Sequence, residues 1–401
     1  MASWLDLAEA QAQLLALAPK MASEQVAVEG ALGRVLAGNV NAARTQPPAD
    51  LSAMDGYAIA GDGPWRIVGE SRAGAPFGGA LGPGEAVRIS TGAHMPAGGE
   101  SVLIQENAVR NGDRLSADAT PEAGRHIRRQ GFDYCKGDTL LGEGAVLGPG
   151  QIALAIAGGH ATVPVAKRPK VAVLDSGDEL ASDPAHVRDD QIPASNGTMI
   201  AAMLTPLVGT VERIGPVADD MGAMANALGR ASDCDILITS GGASVGDHDL
   251  VQDALREWGC EIAFWKVAIK PGKPLMVATR EAEGRHQIVL GLPGNPVSSF
   301  VTAYLFALPL MRASMGIEAP LPSPQTRVAG EAFPAGGPRR EFVRAISDGE
   351  KVVSAASQDS SALGSLAISN CLVEREPNAP EVAIGEPITV YSLQNGGFAG
   401  V

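Results

Sequence analysis

Three short strands, apolar at almost every position, constrain this chain more than anything else in it. KVAVLD leads to SGDEL, CDILITS leads to GGASVGDHD, and QIVLGL leads to PGNPVSSF. A strand with no polar alternation is buried on both faces, as in parallel sheets covered by helices. The text between the strands is helical. NGTMIAAMLTPLVG carries Met199, Ile200, Met203, Leu204 and Leu207 at helical spacing, with Gly209 as a stop signal. DHDLVQDALREWG puts Leu250, Val251, Ala254, Leu255 and Trp258 on one face. The alternation predicts a central, doubly wound, mostly parallel α/β domain over 167–318. Ligands are expected at the carboxyl ends of its strands.

The flanks have another character. Residues 1–45 begin as an amphipathic helix, and 130–166 contain a second helical run, GQIALAIAGG. Between them, over 46–129, lie short β-like runs (WRIVGE, EAVRIS, ESVLIQE) cut by glycine turns. The reading is an N-terminal region, 1–45 with 130–166, that carries an inserted β domain. After EAPLPSP, residues 319–401 return to β patterning and suggest a small barrel or sandwich. The fold class expected is therefore multidomain α/β plus β.

The loop after CDILITS can be read in more than one way. Gly242-Ala243-Ser244-Val245-Gly246 fits G-x-S-x-G, the elbow of a nucleophilic serine. That chemistry needs a downstream histidine. Only His248, beside the loop, and His286, in the polar run EAEGRHQ, follow it. No HGGG-type oxyanion segment precedes it. Glycines between a buried strand and a helix can instead cradle phosphate with backbone N–H groups, or form a plain tight turn.

Other stretches point toward anions. IKPGKPLM brackets a stiff Pro271-Gly272 turn with Lys270 and Lys273. LPGNPVSSF offers Gly294, a helix start at Asn295 or Pro296, and the hydroxyls of Ser298 and Ser299. Asp178 and Glu179 of SGDEL, and Asp247 and Asp249, suit either a divalent cation or the helix macrodipole. Met54-Asp55-Gly56-Tyr57 alone says only turn. The whole chain carries a formal charge of −14, which repels nucleic acid and anionic lipid. Cys135, Cys234, Cys260 and Cys371 have no metal spacing and read as reduced thiols. Asp6 and Glu9 make the N-terminus a poor export signal, and VTAYLFALPLM is short and holds Pro309. The expectation is a cytoplasmic protein without a membrane segment or a nucleic-acid partner.

Taken together, PPADLSAMDGYA, RISTGAHMPAGGE, IRRQGFDYCKGD, SGDEL, TSGGASVGDHD, FWKVAIKPGKP and GLPGNPVSS resemble the molybdopterin molybdenumtransferase family, to which the gephyrin E domain is related. PRREFVRA and SSALGSLAISNCL extend the resemblance toward the C-terminus. It implies that 1–45 with 130–166 form an elongated N-terminal and dimerisation region, and that the chain is a homodimer with its active site at the subunit interface. The implied reaction inserts molybdate into adenylylated molybdopterin and releases AMP, with Mg2+ assisting. By motif, Asp55, Thr91, Asp133, Glu179 and Asp235 fall at catalytic positions. Ser240, Gly241, Gly242, Ser244, Gly246, Asp249, Pro293, Gly294 and Asn295 fall at substrate and phosphate positions. Lys270, Lys273, Ser298, Arg340, Arg344 and Ser365 match the molybdate side. Glu179, Asp235 and Asp247 are the implied metal ligands. Which of Arg339, Arg340 and Arg344 meets the oxyanion stays open. The run PASNGT departs from the Asp-Thr-Asn-Arg-like run often found in the family, beside Asn196.

The residue types make physical sense for that chemistry. Molybdate and a pyrophosphate repel each other unless cations intervene. Backbone amides bind phosphate without adding charge, and Ser244 is then a loop residue rather than a nucleophile. Two other functions use the same features: a molybdopterin adenylyltransferase, which is also a potential docking partner, and a non-catalytic scaffold of the gephyrin type.

Overall fold

The computed structural model describes residues 4–241, 250–272, 274–282 and 284–393. They form two compact units, 25–164 and the remainder.

The larger unit is built on a six-stranded sheet. Its order is Thr210–Val217, Lys170–Ser176, Ile236–Ser240, Arg285–Leu292, Pro274–Ala282, Glu261–Lys266. The first four strands pair in parallel, as the apolar runs predict, and the last two pairings are antiparallel. Helices cover both faces. Helices Met221–Arg230 and Leu250–Glu257 pack one side through Met224, Leu228, Val251 and Leu255. Helix Asn196–Leu204 contacts strand Lys170–Ser176 and helix Pro296–Thr302.

The reversed direction of one strand decides which loops meet. Pro274–Ala282 runs antiparallel to Arg285–Leu292, with Met276 opposite Gly291. Its beginning therefore lies beside the carboxyl end of its neighbour. That brings Lys270–Gly272 to the end of the sheet where the strands Ile236–Ser240 and Arg285–Leu292 finish.

The same unit closes with a five-stranded barrel. Arg340–Ser347, Lys351–Ser354, Gln325–Ala329, Pro387–Ser392 and Cys371–Arg375 pair in that order, and the last pairs back to the first. Its core is Ala329, Phe333, Ala345, Val352, Val373, Ile388 and Val390. The expected barrel-like C-terminal domain is present.

One long apolar helix runs under the sheet from Pro296 to Ser314, and 94% of its most apolar window is buried inside the protein. It continues through Pro309 without a break. Residues Ala303–Ala307 widen into a π-helical turn just ahead of that proline. Pro309 has no N–H for the carbonyl four residues back, on Leu305. The buried side chain of Gln11 donates to that carbonyl instead, Nε2 to O at 2.9 Å. Gln11 sits on helix Leu7–Ala16, which packs against the same long helix. The expected N-terminal segment 1–45 is thus divided, since residues 1–24 belong with 165–401.

The smaller unit contains a six-stranded sheet spanning Gly56–Ile59 to Arg114–Ser116 in sequence, corresponding to the expected inserted β region. Helix Pro149–Ala157 forms where GQIALAIAGG predicts it. All four cysteines are free. Burial pushes the thiols of Cys234, Cys260 and Cys371 up to about 12, 11 and 11, so these three are inert packing groups.

Replacing Gln11 by Leu leaves the Leu305 carbonyl buried without a donor. The expected cost is about 1–3 kcal/mol, read as a lowered melting transition of the larger unit. An unchanged transition would mean that the carbonyl finds another partner.

Candidate functional site

The site is assembled from strand ends. Strands Ile236–Ser240 and Arg285–Leu292 are parallel neighbours, with Ser240 opposite Leu292. The loops that leave them therefore start side by side, and Gly241 donates its N–H to the Leu292 carbonyl at 3.1 Å. An ideal Cβ built on Gly294 would lie 3.9 Å from the Gly241 Cα. Asn196 locks the two loops together. Its Nδ2 donates to Ser240 Oγ at 3.0 Å and to the Gly294 carbonyl at 2.7 Å. Within PASNGT, Asn196 itself thus supplies a structural clasp.

A small cleft of about 100 Å³ opens beside that clasp, lined by Asp175, Glu179, Asn196 and Ser240 among others. Asp175 ends its strand with a side chain only 4% exposed. Burial raises its pKa, opposed by Arg213, at 3.9 Å, and by the Gly197 N–H. Gly197 has to be glycine here. A Cβ on it would sit 2.0 Å from the Asp175 Oδ2. Asp175 is a charged residue of this cleft that no motif indicated.

A larger cavity of about 940 Å³ lies on the other side of Gly241 and Gly294, which line both spaces. Its second wall is the barrel. Two elements join across it. Residues Ile269–Lys270 pair in parallel with Arg340 and Glu341 of the barrel strand Arg340–Ser347. Arg340 donates its N–H to the Ala268 carbonyl at 2.9 Å, and Arg339 Nη1 donates to the Ile269 carbonyl at 3.2 Å. A third tie runs from the Val297 N–H, in the first turn of the long helix, to the Ser360 carbonyl at 3.0 Å. Gly272 makes the bend possible. Its φ is +106°, and a Cβ there would meet Thr302 Cγ2 at 2.6 Å.

Lys270, Arg339, Arg344 and Arg375 line this cavity, together with Ser298, Ser360, Gly294 and Asn295. The three arginines differ in placement. Arg339 reaches the cavity wall. Arg340, expected at the oxyanion, is not on that wall, and its guanidinium is paired with Glu374 and Glu376. Arg344 borders the cavity but is fully buried, and its Nη2 donates to the carbonyls of Ser357 and Asp359 at 2.8 and 3.0 Å. Its first task is to hold that loop. Ser365, also expected at the oxyanion, is a buried helix residue whose Oγ accepts from the Ser357 N–H at 3.1 Å. Ser360 takes the place on the wall that Ser365 was expected to fill.

The expected metal ligands separate. Glu179 lies at the carboxyl end of the sheet. Asp235 precedes strand Ile236–Ser240 and lies at the opposite end. It accepts the Lys170 N–H on Oδ2 at 2.7 Å. Five residues of extended strand separate it from Ser240, about 17 Å at 3.3 Å per residue. Asp235 thus aligns a strand start and does not meet Glu179. Among the described residues no three carboxylate, histidine or thiol side chains converge as a metal site. Gly242, Ser244, Gly246, Asp247, Asp249 and Lys273 lie outside the described residues.

In the smaller unit, Asp55 and Thr91 come together. The Asp55 carboxylate accepts from Thr91 N at 2.7 Å and Thr91 Oγ1 at 3.1 Å. These bonds hold its pKa below the ordinary carboxylate value. Asp133 is exposed on the turn after Gly131, and its N–H donates to the Gln46 carbonyl at 3.0 Å.

Comparison with known proteins gives one consistent answer. Three family profiles match in order: MoeA N-terminal region (domain I and II) over residues 5–159, Probable molybdopterin binding domain over 172–313, and MoeA C-terminal region (domain IV) over 326–393. Molybdopterin molybdenumtransferase 2 of Mycobacterium tuberculosis is 34% identical over 381 residues, 90% of this chain and 93% of that one. Molybdopterin molybdenumtransferase of Haemophilus influenzae is 32% identical over 400 residues, 96% and 98% of the two chains. The crystal structure of the molybdopterin biosynthesis MoeA protein of Pyrococcus horikoshii superposes with a TM-score of 0.84 at 25% identity, covering 97% of this chain and 100% of that one.

Asp175 provides a pH test of the small cleft. Its folded pKa is raised, so the folded state binds this proton more tightly than the unfolded state does. Its stabilising contribution is full below the unfolded value and is lost as pH rises through the folded one. Asp175→Asn removes that dependence. The melting temperature of the variant should gain on wild type between pH 4 and pH 7. A constant difference across that range would show Asp175 to be unperturbed.

Proposed function

The chain belongs to the molybdopterin molybdenumtransferase family and is a transferase of molybdenum cofactor biosynthesis, and from that premise we propose that it inserts molybdate into adenylylated molybdopterin and releases AMP. The observation that carries this reading is the 940 Å³ cavity. Neutral anion-binding groups from the sheet lie on one wall, and cations brought by the barrel junction lie on the other.

The division of labour follows from charge. Gly294 and Asn295, at the mouth of the long helix, offer backbone N–H groups to phosphate oxygens without adding net charge to an already anionic substrate, while the Gly241 and Val297 N–H groups are taken by the Leu292 and Ser360 carbonyls. Lys270 and Arg339 meet the tetrahedral oxyanion, with the hydroxyls of Ser298 and Ser360 beside them. Arg344 and Gln358 keep the Ser357–Ser360 loop in place. Gln358 Nε2 donates to the Arg344 carbonyl at 2.9 Å, and its Oε1 accepts the Arg344 N–H at 3.0 Å. Holding the two anions in one site lowers the cost of bringing them together, and charge complementarity compensates their repulsion.

Mg2+ is a narrower part of the proposal. The Glu179–Asp235–Asp247 set does not fit, because Asp235 is at the far end of the sheet. Nucleotide phosphates bind Mg2+ with only one or two protein carboxylates, and among the described residues Glu179 is the expected ligand at the right end. Bound there, the ion would neutralise phosphate charge. The proposal also includes a homodimer in which Asp55, Thr91 and Asp133 of one subunit serve the other's site.

The test is a single turnover with purified adenylyl-molybdopterin and molybdate, which should yield AMP in a molybdate-dependent burst. Lys270→Ala and Arg339→Ala each remove a charge-assisted contact. Molybdate-dependent AMP release should fall about 10- to 100-fold, mainly through a raised KM for molybdate. Asp235→Asn should leave that KM unchanged. AMP release indifferent to molybdate would sink the proposal.

A further inference from the structure

The oxyanion cavity contains three carboxylates, which is unexpected for a site that attracts dianions. Two of them are occupied by neutral donors. Glu331 accepts from both the N–H and the hydroxyl of Ser354, and Asp359 accepts from both the N–H and the hydroxyl of Ser361. The third, Glu341, is paired with a cation. Its Oε1 lies 3.2 Å from Lys270 Nζ.

That pair is placed by the backbone. Lys270 and Glu341 are direct partners in the parallel register that joins the sheet to the barrel. The acid is the enclosed member, with 20% of its side chain exposed against 55% for the lysine. The neighbouring arginines do not replace Lys270 as the partner of Glu341. Arg375 is the antiparallel partner of Glu341, but its Nη2 donates to the carbonyls of Pro334 and Pro380. Arg340 has Glu374 and Glu376, and Arg339 donates to the Ile269 carbonyl.

We propose that Glu341 is the resident counter-ion of Lys270, which an incoming tetrahedral dianion displaces, so that Glu341 sets how tightly the cavity holds its oxyanion. This rests on the reading of the cavity as an oxyanion site. A lysine alone on a flexible four-carbon stem would be dispersed before the anion arrives. Glu341 keeps Nζ at the wall, so less ordering is left to do on binding. It also repels the dianion, and that repulsion limits affinity. A site that must pass its oxyanion on, rather than store it, needs both effects.

Displacement of a resident counter-ion predicts the opposite sign from mere damage, because removing Glu341's charge relieves a repulsion that outweighs the ordering it supplies. Titration of the full chain with molybdate, and separately with sulfate, at constant ionic strength gives the Kd of each. Glu341→Gln keeps the shape and removes the charge, and should bind the oxyanion about 3- to 10-fold more tightly than wild type. Glu341→Met, a second uncharged variant of similar volume, should do the same. Glu341→Asp restores the charge and should return affinity toward wild type. Unchanged or weaker binding in the uncharged variants overturns the exchange. If wild type and Glu341→Gln bind molybdate equally, the exchange falls and the molybdate reading stands. If only sulfate binds, and more tightly in Glu341→Gln, the exchange stands and the molybdate reading falls. If wild type binds neither anion, both fall.

Discussion

Two residues of parallel pairing, Ile269 and Lys270 against Arg340 and Glu341, hold the site in its present form. They join the carboxyl end of the central sheet to the barrel, and the cavity lies along that seam. Neither wall would be a site alone. The sheet supplies glycine amides and a helix start but no fixed cation. The barrel supplies arginines already tied to carbonyls or carboxylates. The seam works because one strand of the sheet runs backward. Were Pro274–Ala282 parallel to its neighbour, Lys270 would emerge at the Asp235 end instead.

Much of the fold was legible because burial writes itself into sequence. KVAVLD, CDILITS and QIVLGL are apolar on both faces, and each became a central strand. The barrel showed through its alternation. The antiparallel edge did not, since PLMVATREA reads as apolar and then polar in either direction. The long helix reads as one apolar run, but what lets it hold Pro309 does not. What rescues it is a glutamine roughly three hundred positions away in sequence, which no local pattern can reveal.

Site residues were legible where backbone geometry decides and illegible where side-chain direction does. Gly241, Gly294, Lys270 and Ser298 follow strand ends and turns, and they arrive together. Arg339 stands in the bend just before the strand and Arg340 begins it, and nothing in PRREFVRA marks where that boundary falls. The structure separates them through Glu374 and Glu376, which come from another strand and the turn after it. Ser360 and Ser365 pose the same problem between a loop and a helix. Asp235 was the avoidable error. It stands before its strand rather than after it, so the carboxyl-end rule already excluded it from the cleft.

The cavity's mixture of charges follows from the character of the whole chain. A protein with formal charge −14 repels dianions over most of its surface. A local excess of cations must overcome that field without trapping the anion. Carboxylates inside the cavity perform this tuning more finely than removing a lysine would. Each is either satisfied by a serine, and so fixed in direction, or matched to a cation, and so exchangeable. Glu341 is the exchangeable one because strand register, rather than a flexible loop, sets it opposite Lys270. The contact that assembles the cavity also moderates its charge, and a change in that register would alter both together.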